Sequence, residues 1–288
     1  MLNINKILLP VDFPVTSLDV IHQAATLAGH FHSEIVMLHV VTALSHAAGV
    51  PEDDRESAGW DLLTEIIKQA RKQQDQSLGA ELDGLTIRRK LVQGDPAWAI
   101  VKMAEEEEAD LIMMPSHGAT PEQFLLGSVA TKVFSRTGCP IWTGAHVEQS
   151  PVQKFAVRNV LCAVDLGPRS NEAIAWAAPM AAEFGAHLTL AHVTASVEFW
   201  GPGGNYVDEE WKKALVDDAS QRIAKLQKDA GIKADVYIGS GDVPTVLSQA
   251  AAQTKADLLV TGCYPYGTNL RTHGYAIITA VPIPVLSV

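Results

Sequence analysis

The chain has 288 residues, of which 47% are hydrophobic and 19% charged, with a net charge of −11 and an isoelectric point of about 5.3. This composition is typical of a globular protein with a sizeable core, so it excludes the disordered and collagen-like classes. The negative charge also argues against nucleic-acid binding, because a phosphate backbone would be repelled.

The cysteines and the apolar stretches indicate the cellular compartment. Three cysteines without a CxxC pair predict neither a disulfide framework nor a zinc site. Cys139 and Cys162 lie at or within strand-like segments and are expected to be buried and unreactive, whereas Cys263 lies in a loop. The first residues lead into a strand without a secretory signal, and no apolar stretch is long enough to span a membrane. We therefore expect a cytoplasmic protein without membrane association.

Strand-like and helix-like segments alternate along the first half of the chain. Short apolar runs predict strands buried on both faces, as in a parallel sheet; they lie near residues 6–12, 34–41, 86–92, 110–115 and 140–144. Helix-like segments lie between them, near residues 15–30, 58–77, 96–108 and 127–137. Asp95 and Pro96 fit the start of the third helix, with Asp95 as N-cap. The acidic run Glu105–Glu108 at its end opposes the helix dipole and indicates a solvated face.

The second half of the chain repeats this order. The segment KILLPVD at 6–12 recurs as NVLCAVD at 159–165, an offset of 153 residues, and Gly94-Asp95 recurs as Gly241-Asp242, an offset of 147. A loop shorter by about six residues in the second copy explains the change of offset. His39 and His192 occupy equivalent strand positions and are expected to be core or sheet-end histidines rather than catalysts.

The repeat predicts two α/β domains, at residues 1–147 and 156–288. Each is expected to be a doubly wound, Rossmann-like, five-stranded parallel sheet flanked by helices. Ligands of such sheets bind beyond the carboxyl ends of the strands, where the strand order reverses. The segments to inspect are therefore Asp12–Ser17 and Pro115–Ser128 in the first copy, and Asp165–Ser170 and Gly262–Tyr275 in the second.

The first copy carries a loop of the kind that binds phosphate. Gly118 can expose backbone N–H groups, and the free N–H groups at a helix start near Gly127-Ser128 could hold an anion. A flexible loop followed by an ordinary helix N-cap at Ser128 explains the same spacing. No spacing of nucleophile, base and acid predicts a catalytic set, and we expect no metal site.

Several segments resemble those of a universal stress protein. They are KILLPVDF, LHVV, the Gly-Asp-Pro step, ADLIMM, SHG followed by LLGSVATKV, and GCPIW. The resemblance extends over both copies and implies a tandem universal stress protein with a five-stranded parallel α/β fold in each. It also implies that the fifth strands, near 140–144 and 283–288, pair the two copies with each other; a homo-oligomer of the whole chain is a further hypothesis.

The resemblance implies a nucleotide site. ATP-binding members of the family carry Gly-x-x-Gly, nine residues, then Gly-Ser/Thr after the fourth strand, and contact ribose and adenine from the first two strands. Transferred to this chain, the nucleotide-binding residues are Asp12, Val40, Ser116, His117, Gly118, Gly127, Ser128 and Val129. The implied ligand is ATP, with Mg²⁺, or another adenine nucleotide.

The chain departs from the family motif in both copies. In the first, Pro115 replaces the leading glycine, and the spacer of eight residues contains no Lys or Arg. In the second, Pro265 replaces a glycine and Tyr275 replaces the capping hydroxyl. We therefore expect nucleotide binding in the first copy and a degenerate nucleotide loop in the second.

Three functions are compatible with these features. The leading interpretation is a stress-response binding and signalling module rather than an enzyme, with an adenine nucleotide in the N-terminal copy. The alternatives are a protein-interaction scaffold that binds no nucleotide, and a slow ATP hydrolase that uses the Asp12 region and a divalent ion.

Overall fold

The computed structural model describes residues 2–11, 18–42, 65, 68–69, 72, 82–116, 126–144, 155–196, 198–201, 204–262 and 271–288. These residues belong to two compact units: residues 4–114 form one, and residues 115–288 with residues 1–3 form the other. The domain boundaries predicted from the sequence, at 1–147 and 156–288, stay a prediction.

The unit of residues 4–114 is a parallel sheet with helical crossovers. Its elements are β1 (Lys6–Pro10), α1 (Leu18–Phe31), β2 (Glu34–Val41), β3 (Thr86–Gln93), α2 (Pro96–Glu106) and β4 (Leu111–Met114). The strand order is β4-β1-β2-β3, and every pair is parallel. The predicted helix at 58–77 falls mostly outside the described residues, of which 65, 68, 69 and 72 are helical.

The unit of residues 115–288 contains the whole second repeat. Its elements are α3 (Ser128–Phe134), β5 (Ile141–Thr143), β6 (Asn159–Ala163), α4 (Ser170–Phe184), β7 (His187–Thr194), β8 (Glu198–Gly201), β9 (Gly204–Val207), α5 (Glu209–Ala230), β10 (Asp235–Ser240), α6 (Val243–Thr254), β11 (Leu258–Thr261), α7 (Arg271–Ala280) and β12 (Val285–Ser287). Five parallel strands follow the order β10-β7-β6-β11-β12, as predicted for a doubly wound sheet. The strand order therefore reverses between β6 and β11.

Strand β5 adds to this sheet from the first repeat. It pairs antiparallel with β12, with Trp142 opposite Leu286 and Thr143 opposite Val285. The Thr143 hydroxyl also donates a hydrogen bond to the Val285 carbonyl at 3.2 Å. Trp142 is fully buried, and its ring meets Phe155 edge to face at 5.8 Å. The short strand is therefore held by the core as well as by its backbone.

The same hydrogen bonds recur in both repeats. The Asp110 carboxylate accepts hydrogen bonds from the two backbone N–H groups that lead into β1, at 2.7 and 2.9 Å, and Asp257 does the same for β6 at 2.8 and 2.9 Å. The ring Nδ1 atoms of His39 and His192 each donate to the backbone carbonyl one residue beyond the first strand of their repeat. This pattern confirms the tandem repeat and the sheet-end position of both histidines.

A buried carboxylate contradicts one prediction for the first unit. The run Glu105–Glu108 was expected to be a solvated face, but Glu107 is only 8% exposed. It accepts hydrogen bonds from Arg88 at 2.9 Å and from Lys6 at 3.4 Å, and it forms an ion pair with Lys90. The prediction is confirmed for Glu105, Glu106 and Glu108, which are exposed, and is wrong for Glu107. The partners of Glu107 lie on strands β1 and β3, whereas the sequence pattern shows only the helix.

Within the described ranges, no helix combines the length and the apolar character needed to cross a membrane.

Candidate functional site

A cavity of about 270 Å³ lies at the carboxyl edge of the second repeat's sheet. Its walls come from the ends of β6, β7 and β11 and from helices α3, α4, α6 and α7. It therefore occupies the point where the strand order reverses, as predicted for a ligand site of this fold. The residues that line it include Phe134, Asp165, Arg169, His192, Val193, Leu247, Gly262, Gly274 and Tyr275.

Asp165 shapes the loop that follows β6. Its Oδ1 accepts hydrogen bonds from the Gly167 backbone N–H at 2.7 Å and from the Ser170 hydroxyl at 2.9 Å. These bonds draw the chain into a tight turn and join it to the first residue of α4. Among the described residues, no donor forms a hydrogen bond with the other carboxylate oxygen. Asp165 thus organises the loop and keeps an acceptor at the pocket.

His192 lies in β7 and lines the same pocket. Its Nδ1 lies 2.8 Å from the carbonyl oxygen of Val164. Because a carbonyl only accepts, Nδ1 carries the hydrogen, and in the neutral ring Nε2 is an acceptor. His192 therefore adds a second acceptor to the pocket.

Arg169 and Gly262 lie close together at the pocket. A Cβ atom at Gly262 would lie 3.3 Å from the Arg169 Cβ and 3.5 Å from its carbonyl oxygen, so a larger residue would crowd the turn. The Arg169 guanidinium forms an ion pair with Glu172 at 3.2 Å. The positive charge of this pocket residue is therefore neutralised by a neighbour on α4.

An aromatic pair forms the wall between α3 and α7. The Tyr275 hydroxyl donates a hydrogen bond to the Thr131 carbonyl at 3.2 Å, and its ring meets Phe134 edge to face at 6.1 Å. The residue that replaces the capping hydroxyl is thus directed to a helix of the other repeat. The sequence did not predict that Phe134 lines this pocket, because Phe134 lies in the first repeat and no motif connects it with the second.

The nucleotide-binding residues predicted for the first repeat are only partly described. Asp12, His117 and Gly118 lie outside the described residues. Val40 is half-buried near the end of β2, and Ser116 is buried.

The helix after the predicted phosphate loop begins as the sequence indicates, with one difference. The Ser116 carbonyl accepts a hydrogen bond from the Gly127 N–H at 2.9 Å, which joins the two ends of the intervening segment. Gly127 is the N-cap of α3, so Ser128 lies in the first turn and does not cap it as expected. Ser128 is exposed and Val129 half-buried.

The pocket of the second repeat contains the counterparts of these residues. At the offsets of 153 and 147 residues, Asp165 and Val193 correspond to Asp12 and Val40, while Gly274 and Tyr275 correspond to Gly127 and Ser128. All four counterparts line the cavity. The sequence reasoning therefore selected positions that form a pocket in the repeat where it expected a degenerate loop.

The cysteines differ from one another in their surroundings. Cys162 is fully buried, as predicted, and burial raises the pKa of its thiol to about 12. Cys139 is half-buried rather than buried, and Cys263 lies outside the described residues. In the part of the chain that the structure describes, no three His, Cys, Asp or Glu side chains are placed to hold a metal ion.

Comparison with known proteins supports the resemblance seen in the sequence. The model of the universal stress protein family matches residues 3–143 and 156–287. Universal stress protein MJ0531 of Methanocaldococcus jannaschii is 34% identical over 139 residues, which cover 47% of this chain and 79% of that protein.

Two further comparisons extend over nearly the whole chain. Universal stress protein Rv2005c of Mycobacterium tuberculosis is 28% identical over 275 residues, covering 91% of this chain and 89% of that protein. A solved universal stress protein from Archaeoglobus fulgidus has a TM-score of 0.68 and 21% identity, covering 98% of this chain and 95% of that chain. At 21% identity, the match to the Archaeoglobus fulgidus structure shows a similarity of fold.

Proposed function

Because the chain belongs to the universal stress protein family, we propose that it is a stress-response binding and signalling module whose ligand is an adenine nucleotide. The proposed site is in the first repeat and comprises Asp12, Val40, Ser116, His117, Gly118, Gly127, Ser128 and Val129. The module acts by binding rather than by turnover.

One observation carries this proposal. In the second repeat, the positions equivalent to Asp12, Val40, Gly127 and Ser128 line a single cavity at the strand-order reversal. The two repeats share their strand-end hydrogen bonds, so the same positions are the natural place for a ligand in the first repeat. There the bulky tyrosine is replaced by a serine, which leaves the helix start open to a phosphate.

The charge of the first repeat explains why Mg²⁺ belongs to the proposal. The spacer of residues 119–126 contains Glu122 and neither Lys nor Arg. A triphosphate would therefore be held by backbone N–H groups and serine hydroxyls, and a divalent ion would supply the positive charge.

We also propose that the last strands of the repeats join the two copies. The antiparallel register of β5 and β12 supports this, together with the burial of Trp142. A cytoplasmic location is proposed as well, because three cysteines without a CxxC pair predict no disulfide framework.

The first experiment identifies what the purified full chain carries. Mass spectrometry of small molecules released by denaturation is expected to detect an adenine nucleotide, and calorimetry of the stripped protein is expected to show binding of ATP with Mg²⁺. If both measurements are negative, the nucleotide proposal is wrong and the scaffold alternative remains. Hydrolysis of the bound ATP would instead favour the slow hydrolase.

A pair of glycine variants tests the location of the site. Gly127 has a φ of −55°, so valine is compatible with its backbone, and Gly127→Val is expected to weaken ATP binding by about tenfold or more, a change of about 1.4 kcal/mol. The matched control is Gly138→Val, because an added Cβ at Gly138 meets no atom within 4 Å. Equal ATP affinity of the two variants would show that the first-repeat loop is not the site.

A further inference from the structure

Strand β10 (Asp235–Ser240) lies at the end of the strand order in the second repeat. We propose that its outer edge pairs antiparallel with the same strand of a second copy of this chain, about a two-fold axis, so that the two sheets continue into each other. This inference gives the hypothesis of a homo-oligomer a specific interface, and it does not depend on nucleotide binding in the first repeat.

Hydrogen bonds to β7 show which backbone groups of β10 point outward. The Gly239 carbonyl faces β7, because it accepts a hydrogen bond from the Thr194 hydroxyl at 3.2 Å. Successive residues of a strand direct their N–H and C=O groups to alternate sides, so those of Val236, Ile238 and Ser240 point away from β7. Among the described residues, β7 is the only strand beside β10. The outward groups therefore form an open row of donors and acceptors.

The composition of β10 permits pairing with a second copy. The strand contains no Lys, Arg or Pro, and its one charged residue is Asp235 at the first position. Val236 is 44% exposed, so pairing would cover an apolar side chain. Strand β3, which ends the strand order of the first unit, instead carries Arg88, Arg89 and Lys90 in succession. Such charges prevent two copies of an edge strand from pairing, and β10 lacks this protection.

One register uses every outward group of β10. If Ile238 lies opposite Ile238 of the second copy, Val236 lies opposite Ser240 on each side of the axis, and each pair can exchange both backbone hydrogen bonds. A shift in one direction would place Ser240 opposite Ala234, whose N–H already donates to a side chain of α5 at 2.8 Å. A shift in the other direction would place Val236 opposite Asp242, which lies beyond the strand as the N-cap of α6.

The side chains are compatible with this register. Tyr237 lies opposite Gly239 of the second copy, so a large side chain faces a residue that has none. Gly239 is restricted to glycine by its own repeat, because an added Cβ would lie 2.3 Å from the Val246 side chain. Asp235 lies opposite Gly241, so no like charges face each other across the axis.

The chain already contains an antiparallel junction of this kind. Strands β5 and β12 pair antiparallel over residues 141–143 and 285–287, at the opposite end of the same series of parallel strands. A parallel sheet of this fold therefore accepts a short antiparallel strand at its edge, as the proposed contact of β10 requires.

The experiment is sedimentation analysis of the full 30.9 kDa chain over a range of concentrations. A reversible equilibrium between monomer and dimer is expected. Two double variants test the register at the exposed residues Val236 and Ser240. Val236→Lys with Ser240→Lys places like charges opposite each other on both sides of the axis, whereas Val236→Lys with Ser240→Glu places opposite charges there. The dissociation constant of the dimer is expected to be about tenfold or more higher for the first double variant than for the second.

The second double variant is the matched control, because both change the same two residues and both lose the hydrogen bond from the Ser240 hydroxyl to the Ala195 carbonyl. The melting temperatures of the two are expected to be equal at concentrations where both are monomers. In the unchanged chain, the amides of Val236, Ile238 and Ser240 should exchange more slowly as the concentration rises. A chain that stays monomeric at all concentrations would overturn the proposal. Equal dissociation constants of the two double variants would overturn it too, because the dimer would then use another surface.

Discussion

The buried carboxylate of Glu107 provides a sharp test of the electrostatics of the first unit. Its pKa is held at about 2, first because Arg88 donates hydrogen bonds to the charged form and then because Lys90 and Lys6 do so. A glutamate has an ordinary pKa of 4.5. Because the folded-state pKa is depressed, the stabilisation is present above about pH 4.5 and is lost as the pH falls towards about 2.

The magnitude follows from this difference in pKa. Between 4.5 and about 2 it corresponds to about 3 kcal/mol of stability at neutral pH. The side chains of Lys6, Arg88 and Lys90 are 27%, 40% and 32% exposed, respectively. Solvent screening therefore reduces the stabilisation to about 1–2 kcal/mol. Glu107→Gln is therefore expected to destabilise the unit of residues 4–114 by about 1–2 kcal/mol at pH 7. The effect should decrease as the pH falls from about 5 to about 2.

The measurement is amide hydrogen exchange of peptides that contain β1 and β3, because a chain with two units need not unfold in a single step. Glu106→Gln is the matched control: Glu106 is the preceding residue, 52% exposed and 3.4 Å from Lys102. The control should cost about 0.5 kcal/mol or less. If Glu107→Gln costs no more than Glu106→Gln, or if its effect is the same at acidic and neutral pH, the electrostatic argument is refuted.

Three further predictions concern the second unit. Gly239→Ala should lower stability by about 1–3 kcal/mol in urea unfolding, since its Cβ would lie 2.3 Å from the Val246 side chain; a loss no greater than that of Gly138→Ala would contradict this. Asp257→Ala should lower the free energy of unfolding by about 1–3 kcal/mol, because the Asp257 carboxylate accepts hydrogen bonds from the two backbone N–H groups that lead into β6. Unchanged protection of those amides from hydrogen exchange would contradict this. In a Cys263→Ser chain, Ellman's reagent should modify Cys139 in the native state and Cys162 only after unfolding, because burial raises the pKa of Cys162 to about 12; native-state modification of both thiols would contradict this.

Local features were predictable from the sequence because they depend on neighbours along the chain. Asp95 was predicted to be an N-cap, and its carboxylate accepts a hydrogen bond from the Trp98 N–H at 2.9 Å. Its counterpart Asp242 accepts from the Thr245 N–H at 3.2 Å. The short apolar runs form strands within a few residues of their expected ends, since length and apolar character indicate a buried strand. Four of the five runs in the first copy are parallel strands, whereas the run at 140–144 forms β5, which pairs antiparallel with β12.

Features that depend on distant partners were not predictable. Glu107 stands in an acidic run, and nothing near it in sequence shows that Lys6, 101 residues away, would donate to it. The pocket of the second repeat was undervalued for the same reason. Its loop lacks the glycine and serine of the family motif, whereas its aromatic wall depends on Phe134 from the other repeat.

The two repeats differ in the residue at the start of one equivalent helix. Ser128 and Tyr275 occupy equivalent places at the start of α3 and α7. A serine there is small, and Ser128 is exposed. A tyrosine there donates a hydrogen bond from its hydroxyl to the Thr131 carbonyl, and its ring contacts Phe134 edge to face. The same end of the helix therefore forms an aromatic wall. The side chain at this position therefore decides whether the start of the helix carries a small exposed residue, as at Ser128, or part of an aromatic wall, as at Tyr275.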